Sequence, residues 1–559
     1  MDTSRKDRQN QTANNTSSLF TLIKRSNTMK QNSFFRRGMS ALIALVLMVG
    51  FAMSQNDLVI TGTTTISNSG TIKVKGNITN SGVAGATSIG GTVQLKSTGA
   101  QSIGTGTNGA VNFADLTIPA TAGSTKTFNV NSTVSGTIDI AASALASSQY
   151  DIGGKTLTVS GTVSNTGSAT TPYVFSGSGS TVNYSGAAQT VYATGGLTYY
   201  NLTVSTAGGD KTLGGNTTVS NALTVDNAGV LSISANTLTI DGTTYSLLAG
   251  GTVKGGATSN LTLNGSGDLA SFSVTSGLNN LVLNRTGNTA TLSAGLSIEG
   301  AVTLTAGTLA ISTQTLTLNG TGAVVTGAGS LSSSATGTVD YAANAQDVFT
   351  ANYGHLTFGA GLKTFPNTTV GIAGTLTKGT ATFAMGTGNV DFNGSSSQSI
   401  PLFTFYDLTT SSTGTKTATG NLTVSHNFDN GGGGNNATTL LMDIYTLGIT
   451  GTKENSNGTI KFAGGANGVA FNTGIIEYNG DIAQAVTAGS YNDLRFSTLL
   501  LTNQNRTITG VTVNTASNLT VPQYVSLQLD GTAALNVTGT STLTVNGDLQ
   551  NLGTIDIGD

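Results

Sequence analysis

Residues 388–417 read GNVDFNGSSSQSIPLFTFYDLTTSSTGTKT, and this stretch decides the fold because its pattern recurs along the chain. The pattern begins with Gly-x-Val-x-(Phe/Tyr/Leu) and a turn of small residues that contains a Gln. A Val or Ile, an Asp/Asn-Leu strand and a Lys/Arg-Thr pair follow. Repetition at this scale indicates a chain whose units bury their apolar faces against neighbouring units.

Five copies keep the pattern, and a sixth is degenerate. The motif positions are Gly91, Val93, Leu95, Gln101, Ile103, Asp115, Leu116, Lys126 and Thr127 in the first copy; Val182, Tyr184, Gln189, Val191, Asn201, Leu202, Lys211 and Thr212 in the second; Gly337, Val339, Tyr341, Gln346, Val348, His355, Leu356, Lys363 and Thr364 in the third; Gly388, Val390, Phe392, Gln398, Ile400, Asp407, Leu408, Lys416 and Thr417 in the fourth; Gly474, Ile476, Tyr478, Gln484, Val486, Asp493, Leu494, Arg506 and Thr507 in the fifth. The degenerate copy, around Phe272, Asn280-Leu281 and Leu292, keeps the strands but lacks the Gln.

Short alternating segments fill the chain from Asn56 onward. Leu157–Val159, Leu238–Ile240 and Leu422–Val424 each place two aliphatic residues around a Thr, and Gly, Asn or Ser follow closely. Alternation with period two between turn signals predicts strands. We therefore expect an all-β fold, a right-handed parallel β-solenoid (β-helix) of three- to five-residue strands with rungs of roughly 20–25 residues. Tandem β-sandwich modules are the alternative, but they favour longer strands and larger core residues.

The composition supports a scaffold built from backbone ladders. Glycine accounts for 76 of 559 residues, charged residues for 9%, and cysteine is absent, whereas typical domains carry roughly 25% charge. Eight of the 23 Lys and Arg, but only two of the 25 Asp and Glu, lie before residue 40, so the remainder is weakly acidic. An acidic body without clustered cations excludes a nucleic-acid partner.

The amino end has the pattern of an export signal. Lys30, Arg36 and Arg37 precede the apolar run Met39–Met53, and Ala52-Met53-Ser54 offers a small-x-small exit. We expect residues 29–54 to be a cleaved signal peptide; the alternative is an uncleaved anchor, although residues 39–53 are short of the ~20 that a bilayer needs. Residues 1–28 are polar and unpatterned, which favours a true start at Met29. Residues 55–559 then form the solenoid, and because the chain stops mid-rung at Asp559 without a cap, we expect it to continue in a longer protein.

Residues 56–559 resemble the repetitive regions of large bacterial cell-surface and secreted proteins, including adhesin-like β-helix passengers. The resemblance rests on the sequence pattern of Gly388–Ile400, which is Gly-x-Val-x-Phe-x-Gly followed by Gln398 and Ile400. It implies an exported protein held to the cell by a barrel or a carboxy-terminal sorting domain, neither of which is visible here. Membrane contact would then come only from the signal segment or from such a missing anchor.

The sequence offers no cluster of catalytic or metal-binding residues, so we expect no enzyme, no cofactor and no metal. The two histidines, His355 and His426, are some 70 residues apart, and His355 occupies the Asp/Asn position of the motif, which predicts a polar rung end. Asp139, Asp151, Asp210, Asp226 and Asp241 stand alone and are typical of Asx turns. No EF-hand calcium loop appears.

The recurring motif side chains are expected to be structural. We predict that Gln101, Gln189, Gln346, Gln398 and Gln484 form a buried ladder that satisfies turn amides; glycan binding is the alternative. We predict that Tyr184, Tyr341, Phe392 and Tyr478 are buried, each covering the rung beside its Gln. An exposed row of these rings would instead be a glycan-stacking platform. The repeated Lys or Arg is expected to be a solvated cation that keeps a sheet edge soluble.

These observations favour a non-enzymatic, exported repeat protein that acts as an adhesin, spacer or matrix component, with surface glycans or other cells as partners. Two alternatives share the fold. A glycan-binding or carbohydrate-active β-helix would need clustered acids and aromatic residues on one face. An ice-binding protein would need a flat Thr-x-Thr face repeated on every rung, which the sequence alone does not align.

Overall fold

The computed structural model describes residues 57–558 apart from 62–63, 82–84, 98, 105–108, 120–124, 142–148, 166–174, 194–196, 207, 432–437, 456–457, 464–474, 480–482, 488, 498–503, 509–511 and 516. The described residues all belong to one compact unit, Asp57–Asp559. The predicted signal peptide at residues 29–54, the anchor alternative and the polar segment 1–28 lie outside the described residues.

The described residues contain 61 β-strands and no helix. Strands β1–β20 are Leu58–Thr61, Thr65–Ile66, Thr71–Val74, Ile78–Ser81, Thr87–Leu95, Gln101–Ile103, Val111–Pro119, Thr125–Phe128, Ser132–Val134, Thr137–Ala141, Gln149–Asp151, Thr156–Val159, Thr162–Ser164, Phe175–Ser176, Thr181–Tyr184, Gln189–Val191, Thr198–Val204, Asp210–Leu213, Thr217–Val225 and Val230–Ser232. Strands β21–β40 are Thr237–Ile240, Thr244–Leu247, Thr252–Asn264, Leu269–Phe272, Thr275–Leu292, Leu296–Ile298, Val302–Ala310, Thr315–Leu318, Val325–Thr326, Ser330–Ser332, Thr338–Tyr341, Gln346–Asp347, Asn352–Tyr353, His355–Phe358, Gly361–Thr364, Val370–Ile372, Leu376–Thr377, Ala381–Ala384, Asn389–Phe392 and Gln398–Ile400. Strands β41–β61 are Phe403–Phe405, Asp407–Thr410, Thr415–Ala418, Leu422–Val424, Phe428–Asn430, Thr439–Asp443, Leu447–Ile449, Lys453–Glu454, Thr459–Phe462, Ile475–Tyr478, Gln484–Ala485, Gly489–Tyr491, Asp493–Phe496, Gln504–Ile508, Thr512–Thr515, Leu519–Val521, Val525–Leu529, Ala534–Val537, Leu543–Val545, Asp548–Asn551 and Thr554–Ile557.

The strands stack in parallel, one turn of the chain above the next. Leu157 of β12 is the register partner of Val182 in β15, which pairs with Leu202 in β17, then with Leu223 in β19 and Tyr245 in β22. Each step advances 20 to 25 residues along the chain. The result is a β-solenoid of about 20 turns, which confirms the predicted fold class and excludes the β-sandwich alternative.

Alternation of side chains builds the core. In β12, β15 and β21 the second and fourth residues are buried, while the first and third face outward. The buried positions of successive turns are Val, Ile, Leu and aromatic residues, which form one continuous apolar cluster. Because each fully buried aliphatic or aromatic side chain contributes roughly 1.5–3 kcal/mol, this stack stabilises every turn against its neighbours.

Not every strand is as short as the sequence predicts. Thr252–Asn264 and Thr275–Leu292 continue across corners of the coil, where the pairing register shifts between Lys254 and Gly256 and again between Gly256 and Asn260. Bulges let a strand bend without losing its partner. Turn residues therefore mark corners in this chain, and they do not always end a strand.

Side-chain amides also form ladders along the coil. The Nδ2 of Asn280 donates to Oδ1 of Asn260 at 2.9 Å, and Asn284 bonds to Asn264 in the same way. Identical side chains stacked in register satisfy one another in this manner. Like residues therefore pair from turn to turn at these positions.

Candidate functional site

The motif glutamines point into the coil and bind backbone carbonyls of the preceding turn. Nε2 of Gln101 donates to the carbonyls of Val74 (3.1 Å) and Gly76 (2.6 Å). Nε2 of Gln189, Gln346 and Gln398 donates to the same two kinds of acceptor: a carbonyl at the end of a strand and the carbonyl of a glycine two residues later. Nε2 of Gln484 donates to the carbonyl of Phe462. The five side chains are 1–8% exposed. Each strand-end carbonyl, such as that of Val74 or Leu318, also accepts a backbone N–H from the next turn. The glutamine is therefore a second donor to that carbonyl and links it to the glycine carbonyl in the following corner.

The motif cations are buried, so the prediction of a solvated cation is wrong. Lys126, Lys211, Lys363, Lys416 and Arg506 are each 0% exposed. Nζ of Lys126 donates to the carbonyls of Ser97 (3.0 Å) and Gly99 (3.1 Å), and Nζ of Lys211 to those of Thr206 and Gly209. A charged group can stay inside a protein only when such acceptors replace its water. The turn that precedes each cation supplies them.

Each cation sits directly against the Gln of its own copy in the strand register. The partners are Gln101 with Lys126, Gln189 with Lys211, Gln346 with Lys363, Gln398 with Lys416 and Gln484 with Arg506. The Gln reaches back one turn, and Lys126, Lys363 and Lys416 bind the turn in which their Gln lies. Lys211 instead binds Thr206 and Gly209, which immediately precede it. We name this unit the Gln–cation pair; in the first, third and fourth copies it ties three successive turns together through side-chain to backbone hydrogen bonds.

Burial changes the protonation behaviour of these cations. It lowers the pKa of Lys126 and of Lys416 to about 8, and it lowers the pKa of Lys211 and Lys363 as well. The cause in each case is the loss of water around the ammonium group, partly offset in Lys416 and Lys363 by the nearby carboxylates of Asp391 and Asp340. The same desolvation raises the pKa of those two carboxyl groups.

The motif aromatic residues are buried as expected, since Tyr184, Tyr341, Phe392 and Tyr478 are at most 1% exposed. They do not form an outward row, so they offer no stacking platform for a glycan. Three of them pack edge to face against a second aromatic residue that sequence reasoning missed. The ring pairs are Tyr184 with Tyr199, Tyr341 with Tyr353 and Phe392 with Phe405, edge to face at 6.2–6.5 Å.

Three tyrosine pairs, Tyr184–Tyr199, Tyr341–Tyr353 and Tyr478–Tyr491, make the same set of hydrogen bonds. The hydroxyl groups of Tyr341 and Tyr353 are 2.9 Å apart; the first accepts the backbone N–H of Phe349, and the second donates to the carbonyl of Phe349. Tyr184–Tyr199 and Tyr478–Tyr491 repeat this arrangement around Tyr192 and Thr487. Burial raises the pKa of Tyr184 and Tyr341 to about 12. The sequence signal was available: an aromatic residue stands two positions before the Asp/Asn/His of every full copy.

In the degenerate copy a single residue binds the carbonyls that the Gln and the cation bind in the full copies. Arg285 is fully buried, and its Nη2 donates to the carbonyls of Ile240 (3.3 Å) and Gly242 (2.5 Å), the two acceptors that a motif Gln takes. Its Nη1 donates to Gly267 at 2.8 Å, a turn carbonyl placed like the one that Lys126 takes at Gly99. A single guanidinium therefore replaces both members of the Gln–cation pair.

The Asp/Asn/His position of the motif is polar, as expected, but it begins a strand or lies within one and does not end it. Oδ1 of Asp115, Asn280 and Asp407 accepts a backbone N–H of the next turn, from Thr137, Ala301 and Asn427 respectively. His355 does the same through Nδ1, which lies 3.1 Å from the N of Thr375 and 2.7 Å from its Oγ1. His355 is thus a structural acceptor in this arrangement.

The isolated acids behave less uniformly than predicted. Asp151 forms the expected Asx turn with the N–H of Gly153. Asp210 and Asp241 bond across turns to Lys254 and Asn264, and Asp139 likewise accepts from Ser164 one turn away. In a stack of turns, a neighbouring rung competes with the local backbone for a carboxylate.

A polar cluster on the outer surface of the coil includes His426. The half-exposed ring of His426 stacks on Tyr406 at 4.7 Å, and its Nδ1 is 2.9 Å from Oδ1 of Asp407. Among the described residues, no group of three or more His, Cys, Asp or Glu is arranged to hold a metal ion. No helix in the described part of the chain is long and apolar enough to cross a membrane.

The motif side chains therefore form hydrogen bonds with the backbone of their own coil, and this arrangement can hold successive turns in register. No protein family, no curated protein and no solved structure matches this chain.

Proposed function

We propose that this chain is a non-enzymatic, exported repeat protein that serves at the cell surface as an adhesin, spacer or matrix component. The observation that supports the proposal is the direction of the motif side chains. Five glutamines and five cations, which are the residues most able to bind a ligand or do chemistry, are buried and bonded to backbone carbonyls. Repetition of such a unit serves the stacking of turns, which is what a spacer requires.

The proposal is tested in the bacterium that makes the protein. An epitope tag placed in the exposed turn at Asn227-Ala228, where both residues already adopt positive φ, should be accessible to antibody on intact cells. The mature amino terminus should begin near Ser54 or Gln55 once the signal is removed. A tag that is reached only after lysis would contradict the proposed surface location.

A second measurement separates a scaffold from an enzyme. Purified chain incubated with a panel of polysaccharides should release no reducing ends above buffer. Turnover of any of them would overturn the non-enzymatic assignment. Binding without turnover would support an adhesin that recognises glycans.

Ice binding is a second candidate because the strand register aligns outward hydroxyl groups that the sequence alone does not align. Strands β12, β15, β17, β19 and β22 are in continuous register, and each turns two residues outward. We call this surface the threonine face; its residues are Thr156, Thr158, Thr181, Asn183, Asn201, Thr203, Ala222, Thr224, Thr244 and Ser246. The rungs lie about 4.8 Å apart and the two columns about 6.6 Å apart, an uncharged, regular array.

Inhibition of ice recrystallisation by the purified chain tests this candidate. If the threonine face binds ice, the double variant Thr158→Lys with Thr203→Lys should lose the inhibition. The matched control is Thr212→Lys, which changes an outward residue on a different strand, β18. No inhibition by the unmodified chain, or equal loss in both variants, would remove ice binding from consideration.

A further inference from the structure

The Gln–cation pair of the third copy differs from the others in one contact. Nζ of Lys363 lies 2.9 Å from Oε1 of Gln346. In the first, second and fourth copies the Oε1 of the glutamine accepts a backbone N–H instead, from Ser97, Gly186 and Gly394. The amide of Gln346 is therefore the one among these four whose carbonyl oxygen faces the amine of its register partner.

This contact holds an amine close to an amide carbon away from water. Gln346 is 2% exposed and Lys363 is 0% exposed. Since an amide C=O bond is about 1.23 Å long, a nitrogen 2.9 Å from Oε1 lies at most about 4.1 Å from Cδ. Reacting atoms at about 3–3.5 Å reach effective molarities of roughly 10⁵–10⁸ M, so a small side-chain movement from this contact brings Nζ to reacting distance of Cδ.

The surroundings also favour the reactive forms of both groups. Burial lowers the pKa of Lys363, which raises the fraction of the neutral, nucleophilic amine. Nε2 of Gln346 donates to the carbonyls of Leu318 and Gly320, both at 2.8 Å. These two acceptors remain in place to receive N–H groups on that nitrogen as it departs.

We propose that Lys363 and Gln346 become joined by an intramolecular isopeptide bond between adjacent turns of the coil. The lone pair of Nζ attacks Cδ, the Nζ–Cδ bond forms and the Cδ–Nε2 bond breaks. Two protons of the lysine ammonium group pass to Nε2, which leaves as an ammonium ion. Charge and atoms balance without an oxidant, a reductant or a second substrate. The product is a covalent staple in a chain that has no cysteine.

Tryptic mapping of the purified full-length chain tests the proposal directly. Between Arg285 and Lys378 the only trypsin site is Lys363. An unmodified chain yields the peptides 286–363 and 364–378. The staple blocks cleavage after Lys363, so the expected product is a single peptide 286–378 that lacks the mass of one ammonia, with fragment ions linking residues 346 and 363.

Complete cleavage after Lys363 with a full-mass peptide 286–363 would overturn the proposal. The matched control is within the same digest: Gln398 and Lys416 form a register pair without the contact, so cleavage after Lys416 should be complete. The variant Gln346→Met removes the amide but keeps an unbranched side chain of similar length, and it should restore cleavage after Lys363. An ammonia loss that persists in this variant would assign the modification to another residue and contradict the staple.

Discussion

The fourth copy of the motif and the degenerate copy hold the same kind of turn by different means. In the fourth copy, two side chains from successive turns, Gln398 and Lys416, make the hydrogen bonds. Gln398 alone donates to the carbonyls of Ile372 and Gly374. Around Arg285 one guanidinium takes the equivalent carbonyls of Ile240 and Gly242 and adds that of Gly267. The comparison teaches that the carbonyl positions are the fixed requirement of this coil, and that the residue which satisfies them can change.

The largest effect is expected where one side chain carries all the bonds. Arg285→Met should destabilise its turns by about 3–5 kcal/mol, because the guanidinium donates to three carbonyls and the loss of each such bond costs at least about 1 kcal/mol. Solenoids do not unfold as a single unit, so the loss should be local. Hydrogen exchange followed by peptide mass spectrometry should show faster exchange near residues 237–310. Uniform acceleration along the whole chain would contradict the local role.

A smaller loss is expected in the fourth copy, where the work is divided. Lys416→Met removes the donor to Gly394 but leaves Gln398 in place, so we expect a cost of about 1–3 kcal/mol. Lys254→Met is the matched control because this lysine is half exposed and paired with Asp210 at the surface. Exposed ion pairs contribute roughly 0–1 kcal/mol. Equal urea midpoints for the two variants would restore the solvated-cation interpretation for Lys416.

The aromatic pairs provide a third comparison, between copies with tyrosine and the copy with phenylalanine. Tyr341→Phe deletes the hydroxyl that accepts the N–H of Phe349 and contacts Tyr353. The ring stays buried, so the cost should be about 1 kcal/mol, the typical worth of one hydrogen bond. Exchange of the Phe349 amide is the measurement, and Phe392, which lacks the hydroxyl, defines the behaviour expected of the variant. An unchanged rate at Phe349 would contradict the bond.

Much of this architecture could be predicted from the sequence because it depends on period and repetition. Alternation such as Leu157-Thr158-Val159 predicts strands, and the repeated Gln predicts a buried amide. The burial of the cations could not be predicted, since Lys416 in isolation is a hydrophilic residue. Its acceptor at Gly394 lies on another turn, and only the register brings the two together. The role of Arg285 could not be predicted for the same reason. This residue stands at a different place in the repeat, and only the carbonyl positions that it shares with the motif glutamines reveal its role.

The smallest effect is a dependence of stability on pH that should distinguish the lysine copies from the Arg285 copy. Burial lowers the pKa of Lys126 and Lys416 from the ordinary 10.5 to about 8. Between these values the unfolded chain binds more protons than the folded chain, so the stability of their turns should rise as the pH increases from about 8 toward 10.5. Arginine remains charged throughout this window, and the turns around Arg285 should show no such rise.

The buried tyrosine pairs have the opposite effect on the pH dependence of stability, and they limit the pH range over which stability rises. The pKa of Tyr184 and Tyr341 is raised from 10.0 to about 12, so the folded chain keeps protons that the unfolded chain loses above pH 10, and stability should fall there. The first and fourth copies have Leu95 and Phe392 at that position, so in these copies no motif tyrosine opposes the effect of the lysine on stability.

Urea midpoints at pH 7.5 and 9.5 should therefore differ in the unmodified chain, with the higher value at pH 9.5. The double variant Lys126→Met with Lys416→Met should show a smaller difference, and an unchanged difference would mean that groups other than these two lysines cause the rise.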